Sequence, residues 1–182
     1  LLRVNLLKRQ GRVVSVKANY LEVDIVNELD LKGNNSKNHR LLCTLRSRLK
    51  HSGIFAYAGD KVSVESIDWI ESRGVISGIE KRNSWLQRPP VANVTQIIVV
   101  ISLTQPSFDL QQVTRFLITA EQTGIDIVLV LTKSDLIPSN KVTSYISRFK
   151  DWGYNSIAVS IITEQGLDEL TQCLRSSKLS VL

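Results

Sequence analysis

From residue 97 onward, short apolar runs alternate with stretches of helical period, and nothing else in the chain constrains its fold as tightly. The run "IIVVISL" (97–103) has the length and content of a buried strand. After it, Asp109 is placed to cap a helix carrying Leu110, Val113, Leu117 and Ala120 on one face, closed by Gly124. Ile127, Val128, Leu129, Val130 and Leu131 form a second buried run. Ser139 is then expected to cap a helix with Val142, Tyr145, Ile146 and Phe149 on one stripe, ended at Gly153. "SIAVSI", "GLDELTQCLRS" and "KLSVL" continue as strand, helix and strand. Such alternation with short links builds right-handed βαβ units on a parallel sheet. Ligands of these sheets sit beyond the carboxyl ends of the strands.

Residues 10–90 follow a different period. "GRVVSVKANYLEVDI" puts Val14 and Val16, then Leu21, Val23 and Ile25, at alternate positions of half-buried strands. "LLCTLRSRL" sets Leu41, Cys43 and Leu45 against Leu42, Thr44 and Arg46, and "KVSVESIDW" alternates Val62 and Val64 with polar residues. "RGVISGIEKR" reads as a further strand, and "LKGNNSKNH" (31–39) as a mobile polar loop. Four or five short strands in this length point to a small closed barrel, most simply an OB-fold. Pro89-Pro90 continues neither a central strand nor a helix, so the boundary is expected there, between a domain 1–86 and a domain 87–182.

Charge divides the chain at the same place. Residues 1–90 hold 16 Lys and Arg against 9 Asp and Glu, residues 91–182 hold 7 against 8, and the net charge is +6. The basic half is therefore expected to meet a polyanion. Arg3, Lys8, Arg9, Arg12 and Lys17, with Arg40, Arg46, Arg48 and Lys50, are candidates for tracking an RNA backbone, scattered solubilising charge being the plainer alternative. "LRSRLK" places Arg46 and Arg48 on one face of a strand. Tyr57, Trp69 and Trp85 are candidates for base stacking, or for the core. Cys43 and Cys173 form neither a disulfide framework nor zinc-ligand spacing, and with His39 and His51 isolated no metal site is expected. No apolar run approaches the roughly 18–20 residues of a membrane span, and "LLRVNLLKRQGR" is no signal peptide. A chain that begins at Leu1 without any Met is expected to be processed or a fragment.

Thr132-Lys133-Ser134-Asp135 follows the second buried run, at a strand's carboxyl end. A carboxylate there accepts from guanine N1–H and N2–H₂ together, where adenine offers no donors, a contact worth about 1–3 kcal/mol of discrimination. The Lys133 stem can lie along the base plane. The bland alternative is a polar loop with Asp135 in a local turn. Ser160-Ile161-Ile162 closes the next strand, and Gly166-Leu167-Asp168-Glu169-Leu170 opens the next helix, where acids are favoured by the dipole in any case.

"RPPVANVTQIIVVISL", "FDLQQVTRFLITAEQTGI", "VLVLTKSDL" and "GLDEL" together resemble the circularly permuted, ribosome-small-subunit-dependent GTPase family of the RsgA/YjeQ/EngC type. The resemblance implies an RNA-binding OB domain followed by the first part of a P-loop-GTPase-like α/β domain, incomplete at its C-terminus. In that family base recognition precedes the phosphate loop, so no Gly-x-x-x-x-Gly-Lys-Ser/Thr run is expected upstream, and none is present. It also implies a guanine nucleotide, GTP or GDP, held by Thr132, Lys133 and Asp135 with Ser160, Ile161 and Ile162. Thr132 stands where the family pattern has Asn, and Ile162 where it commonly has Lys. Implied partners are the small ribosomal subunit and its RNA. The chain is expected to be a monomer off the membrane, in the cytoplasm or in a chloroplast or mitochondrial matrix. Mg²⁺ is expected only together with the phosphate loop, and the family's zinc domain lies outside these residues. Residues 1–182 alone are accordingly expected not to hydrolyse GTP. The alternatives are a non-catalytic OB protein bound to ribosomal RNA, or a doubly wound regulatory domain fused to a barrel.

Overall fold

The computed structural model describes residues 8–25, 39–177 and 179–182, in two compact units, Leu1–Asn93 and Val94–Leu182. In the first unit β1 (Arg9–Val16), β2 (Leu21–Ile25), β3 (His39–Leu45), β4 (Lys61–Asp68) and β5 (Arg73–Ile79) close an OB-like barrel in the order β1-β2-β3-β5-β4. Its pairs are antiparallel except β3 with β5. Alternate residues fill the core, among them Val23, Leu41, Cys43, Val62, Val64 and Ile76, so the period of two in the sequence is the period of burial. Gly74 keeps this core closed, because a Cβ there would stand 2.6 Å from Val64 Cγ1.

Two details of the barrel differ from the sequence expectation. Val13 is the inward residue of β1, while Val14 and Val16 are exposed. Gly11 and Val13 are buried in alternation, and the same phase leaves Val14 and Val16 on the outer face, with the β1–β2 register shifting between Val13 and Ser15. The strand expected across "LLCTLRSRL" stops at Leu45. Ser47–His51 is instead a short helix, α1, which turns Leu49 onto the barrel core beside Leu45. Arg46 and Arg48 therefore do not share a strand face. The polar stretch 31–38 lies outside the described residues, and His39, the last residue of the expected loop, opens β3.

A hairpin of β6 (Trp85–Gln87) and β7 (Pro90–Ala92) follows the barrel. The Ala92 N–H donates to the Ala58 carbonyl at 2.8 Å and the Asn93 side-chain amide to the Gly59 carbonyl at 3.0 Å. Those bonds keep the hairpin with the barrel, and the two compact units divide at Asn93/Val94. Pro90 sits in an edge strand, where its missing N–H costs nothing.

The second unit runs β8 (Gln96–Ser102), α2 (Leu110–Glu121), β9 (Asp126–Thr132), α3 (Ser139–Asp151), β10 (Asn155–Val159), α4 (Leu167–Ser176) and β11 (Ser180–Val181). The sheet is parallel throughout, in the order β10-β9-β8-β11. Both faces of β9 are buried, which is why it reads as an unbroken apolar run. Leu129 and Leu131 pack with Val113, Leu117, Val142 and Phe149 of α2 and α3; Val128 and Val130 pack with Leu167 and Leu170 of α4. Asp109 caps α2 as expected, its carboxylate accepting from the Gln111 and Gln112 amides. Ser139 does not cap α3. Pro138 takes that position with its carbonyl accepting from Lys141 and Val142, and Ser139 becomes the first helical residue.

Candidate functional site

The carboxyl end of β9 is where the sheet turns polar. Lys133 adopts a left-handed backbone (φ 59°), which is uncommon for a side chain with a Cβ. The kink ends the strand at Thr132 and starts a 3₁₀ turn, Ser134–Leu136. Thr132 Oγ1 donates to the Ile101 carbonyl at 3.2 Å, and Lys133 Nζ donates to the Gln105 carbonyl at 2.5 Å. Both hold the turn against the end of neighbouring β8. Asp135 is exposed, and among the described residues its carboxylate has no hydrogen-bond or ion-pair partner. The Ser134 hydroxyl is buried and equally without a partner there.

Thr132, Lys133 and Asp135 line one side of a cavity of about 690 Å³, and Ile161 and Ile162 line it from the loop after β10. Its walls are apolar, from Val100 and Val130 of the sheet to Leu170 of α4. Such a cleft suits a flat ring whose polar edge meets a few fixed groups. Ile161 and Ile162 are 81% and 84% exposed, and among the described residues neither amide donates to a protein acceptor.

Ser160 is set apart from the other expected site residues. It is buried behind the cavity wall, where its hydroxyl accepts from the Thr163 amide at 3.1 Å and its own amide donates to the Gln165 carbonyl at 3.0 Å. It staples the loop that presents Ile161 and Ile162. Gly166 (φ 74°) lets α4 begin against β10, since a Cβ there would fall 2.0 Å from the Ala158 carbonyl oxygen. Asp168 and Glu169 stand in the first turn of α4 and are exposed.

The basic candidates of the barrel fall into distinct environments. Arg9 is half-buried in β1, and Arg12 lies opposite Asp24 in the β1–β2 register. Arg40 grips Asp24 with two bonds of 2.7 and 3.1 Å. Arg46 Nη1 stands 2.6 Å from Glu65 Oε1, and Arg48 Nη2 donates to the Ser77 carbonyl at 3.1 Å. Lys8, Lys17 and Lys50 are exposed, while Arg3 lies outside the described residues. Of the aromatic candidates, Trp69 stands edge-on to His39 with centroids 5.6 Å apart. Tyr57 and Trp85 enclose Arg82, whose guanidinium carbon is 5.0 and 4.9 Å from their ring centroids. Hydrogen bonds to the fully buried Asp60 raise the Arg82 pKa above its ordinary value. Sequence reading singled out neither Arg82 nor the exposed Phe55. The one signal in the sequence is an Asp just before β4 and an Arg just after β5, which the antiparallel pairing brings to the same end of the two strands.

Among the described residues no group of His, Cys, Asp and Glu is arranged to hold a metal, and no helix is long and apolar enough to cross a membrane.

Residues 79–182 match the family model described as RsgA GTPase. A protein of Prochlorococcus marinus (strain MIT 9303) named small ribosomal subunit biogenesis GTPase RsgA is 46% identical over 177 residues, covering 94% of this chain and 55% of that one. The same-named protein of Parasynechococcus marenigrum is 46% identical over 172 residues, covering 94% and 56%. The chain thus spans 55–56% of the length of these two curated relatives. Among solved structures, YjeQ from Thermotoga maritima aligns with a TM-score of 0.77 at 29% identity, over 92% of this chain and 57% of that one. YloQ, described as a circularly permuted GTPase, aligns at 0.74 and 24% identity over 93% and 56%, a likeness of fold.

Proposed function

The chain belongs to the RsgA GTPase family, and from that premise we propose that it forms the RNA-binding and guanine-recognising part of a GTPase acting in small ribosomal subunit biogenesis. The observation that carries the reading is the Asp135 carboxylate, left without a protein partner at the mouth of an apolar cleft, with Lys133 beside it. In this reading the guanine ring enters between the Lys133 stem and the Ile161–Ile162 loop. Asp135 accepts from guanine N1–H and N2–H₂, and the free Ile161 amide donates to guanine O6. Adenine would leave the carboxylate buried against a ring without donors, and that penalty gives the selectivity. Thr132 keeps its hydroxyl on the Ile101 carbonyl and so braces the turn without touching the base.

Residues 1–182 contain no Gly-x-x-x-x-Gly-Lys-Ser/Thr run, so no loop of this kind cradles the β- and γ-phosphates or places a hydroxyl on Mg²⁺. These residues alone bind GTP and GDP weakly, through the base, and do not hydrolyse GTP. The basic barrel supplies electrostatic attraction to ribosomal RNA on the small subunit, with Arg9, Arg12, Lys17 and Lys50 as its contacts. Arg46 and Arg48 contribute less, their guanidinium groups being engaged by Glu65 and Ser77. The chain works as a monomer off the membrane, wherever ribosomes are assembled, in the cytoplasm or in an organelle matrix.

A non-catalytic OB protein docked on ribosomal RNA is the second reading, favoured by the barrel's charge, and it needs no nucleotide. Equilibrium binding of fluorescent GDP and ADP to the chain separates the two. The first reading requires measurable GDP binding and weaker ADP binding; equal or absent binding of both supports the second.

A further inference from the structure

The barrel unit carries a cavity of its own, of about 480 Å³, lined by Ile54, Phe55, Tyr57, Ile79, Glu80 and Arg82. That volume falls within the range of about 300–1,000 Å³ common to small-ligand sites. Arg82 is its fixed element. Nε donates to Asp60 Oδ1 at 2.7 Å, and Nη2 donates both to Asp60 Oδ2 and to the Phe55 carbonyl at 2.9 Å. Tyr57 and Trp85 pack against the guanidinium plane. Among the described residues Nη1 has no acceptor. The group is therefore rigid and its charge is matched by buried Asp60, which leaves a directional donor with little net attraction for an anion.

The rim has the opposite character. Phe55 leaves 66% of its surface in solvent, and Ile54 beside it 41%. Gly53 (φ 69°) turns the chain out of α1 so that these two residues project. Glu80 is exposed at the edge, and a phosphate placed there would be repelled. A planar, neutral group carrying both acceptors and amino donors satisfies all of these features: it stacks on Phe55, accepts from Arg82 Nη1 and donates to Glu80.

We propose that this cavity holds one unpaired nucleobase of single-stranded RNA, stacked on Phe55, with a base carbonyl on Arg82 Nη1. The proposal rests on the reading of the barrel as an RNA-binding domain and adds the point at which the RNA is gripped by a base rather than by its backbone. Exposed Lys81, between the lining residues Glu80 and Arg82, and exposed Lys50, shortly before Gly53 in sequence, suit the flanking phosphates.

The test uses the chain with Phe55→Ala and Phe55→Tyr, titrated against a short unstructured oligoribonucleotide and against small ribosomal subunits at several salt concentrations. Phe55 is exposed, so both variants keep the barrel, which circular dichroism verifies. Phe55→Ala is expected to weaken oligonucleotide binding about 5- to 150-fold, the range for one stacked base. The slope of affinity against salt stays unchanged, because stacking releases no counterions. Phe55→Tyr is expected to bind as the parent does. A parent that binds well and a Phe55→Ala variant that binds equally overturns the proposal while leaving the RNA-binding reading intact. Loss on subunits alone, with the naked oligonucleotide unaffected, also overturns it, in favour of a protein contact at Phe55. A parent that binds neither RNA nor subunits overturns both.

Discussion

Lys133 Nζ lies 2.5 Å from the Gln105 carbonyl oxygen, so the turn after β9 is bolted to the loop after β8. Gln105 itself has a positive φ of 51°, uncommon for a residue with a Cβ. The bond directs the Lys133 stem across the cavity wall and leaves Asp135 beyond it, open to a ligand. Replacing Lys133 with Met keeps the stem and removes the donor. Such a variant is expected to fold normally and to bind GDP about 10-fold more weakly, from the loss of a charge-assisted bond of roughly 1.5–3 kcal/mol shared between positioning and stability. Fluorescent-GDP titration checks it, and unchanged affinity would make the bond incidental to the site.

Among the glycines of the parallel-sheet unit, Gly166 has the least room for a side chain. Gly166→Ala drives a Cβ into the Ala158 carbonyl and strains a left-handed backbone, so α4 must shift away from β10. The expected cost is at least about 1–2 kcal/mol, seen as a lower urea midpoint for this unit. GDP binding should fall with it, because Leu167 and Leu170 wall the cavity.

Asp60 is fully buried, and Arg82 donates to both of its carboxylate oxygens. Arg82→Met should destabilise the barrel by about 3 kcal/mol, the penalty for stranding a buried carboxylate. The double variant Asp60→Asn with Arg82→Met should recover much of that loss. Equal midpoints for the single and double variants in denaturant titration would show that the pair is not coupled.

Burial pushes the Cys43 thiol up to about 12, from an ordinary value of 9.0. The folded barrel therefore keeps its proton where the unfolded chain loses it. Between pH 9 and about 12 the unfolded state binds fewer protons, so stability falls as pH rises through that window. At pH 8 a thiol reagent should label half-buried Cys173 and spare Cys43 until the barrel is unfolded. Mass spectrometry of the labelled peptides reads the difference.

Much of this architecture is legible in the sequence because local pattern and tertiary environment agree. The run 127–131 is apolar at every position since both faces of β9 are covered, and Asp109 caps α2 through its own side chain. Where a tertiary contact overrides the local pattern, the reading slips. Val14 and Val16 look like the inner face of β1, but the inward phase is that of Gly11 and Val13, and a buried glycine carries no apolar side chain to announce it. "LRSRL" alternates like a strand, yet the strand ends at Leu45 and α1 brings Leu49 onto the barrel core beside it. At the candidate site, Asp135, Lys133 and Thr132 stand at a strand end that the βαβ order places. The buried position of Ser160 depends on its bond to Thr163, which spacing does not reveal. Arg82 and Phe55 are invisible as a pair in the sequence, because the bond between them joins a guanidinium to a main-chain carbonyl 27 positions away.

The most direct test of the central claim replaces Asp135 with Asn in a protein that also carries the phosphate loop, and compares guanosine and xanthosine diphosphates in equilibrium competition. An amide nitrogen at this position donates to xanthine O2 where the carboxylate accepted from guanine N2–H₂. The preference should move from guanine to xanthine, by about 10-fold or more for exchange of a bidentate contact. An unchanged preference for guanine would remove Asp135 from the base site and, with it, the reading of this cleft as a guanine pocket.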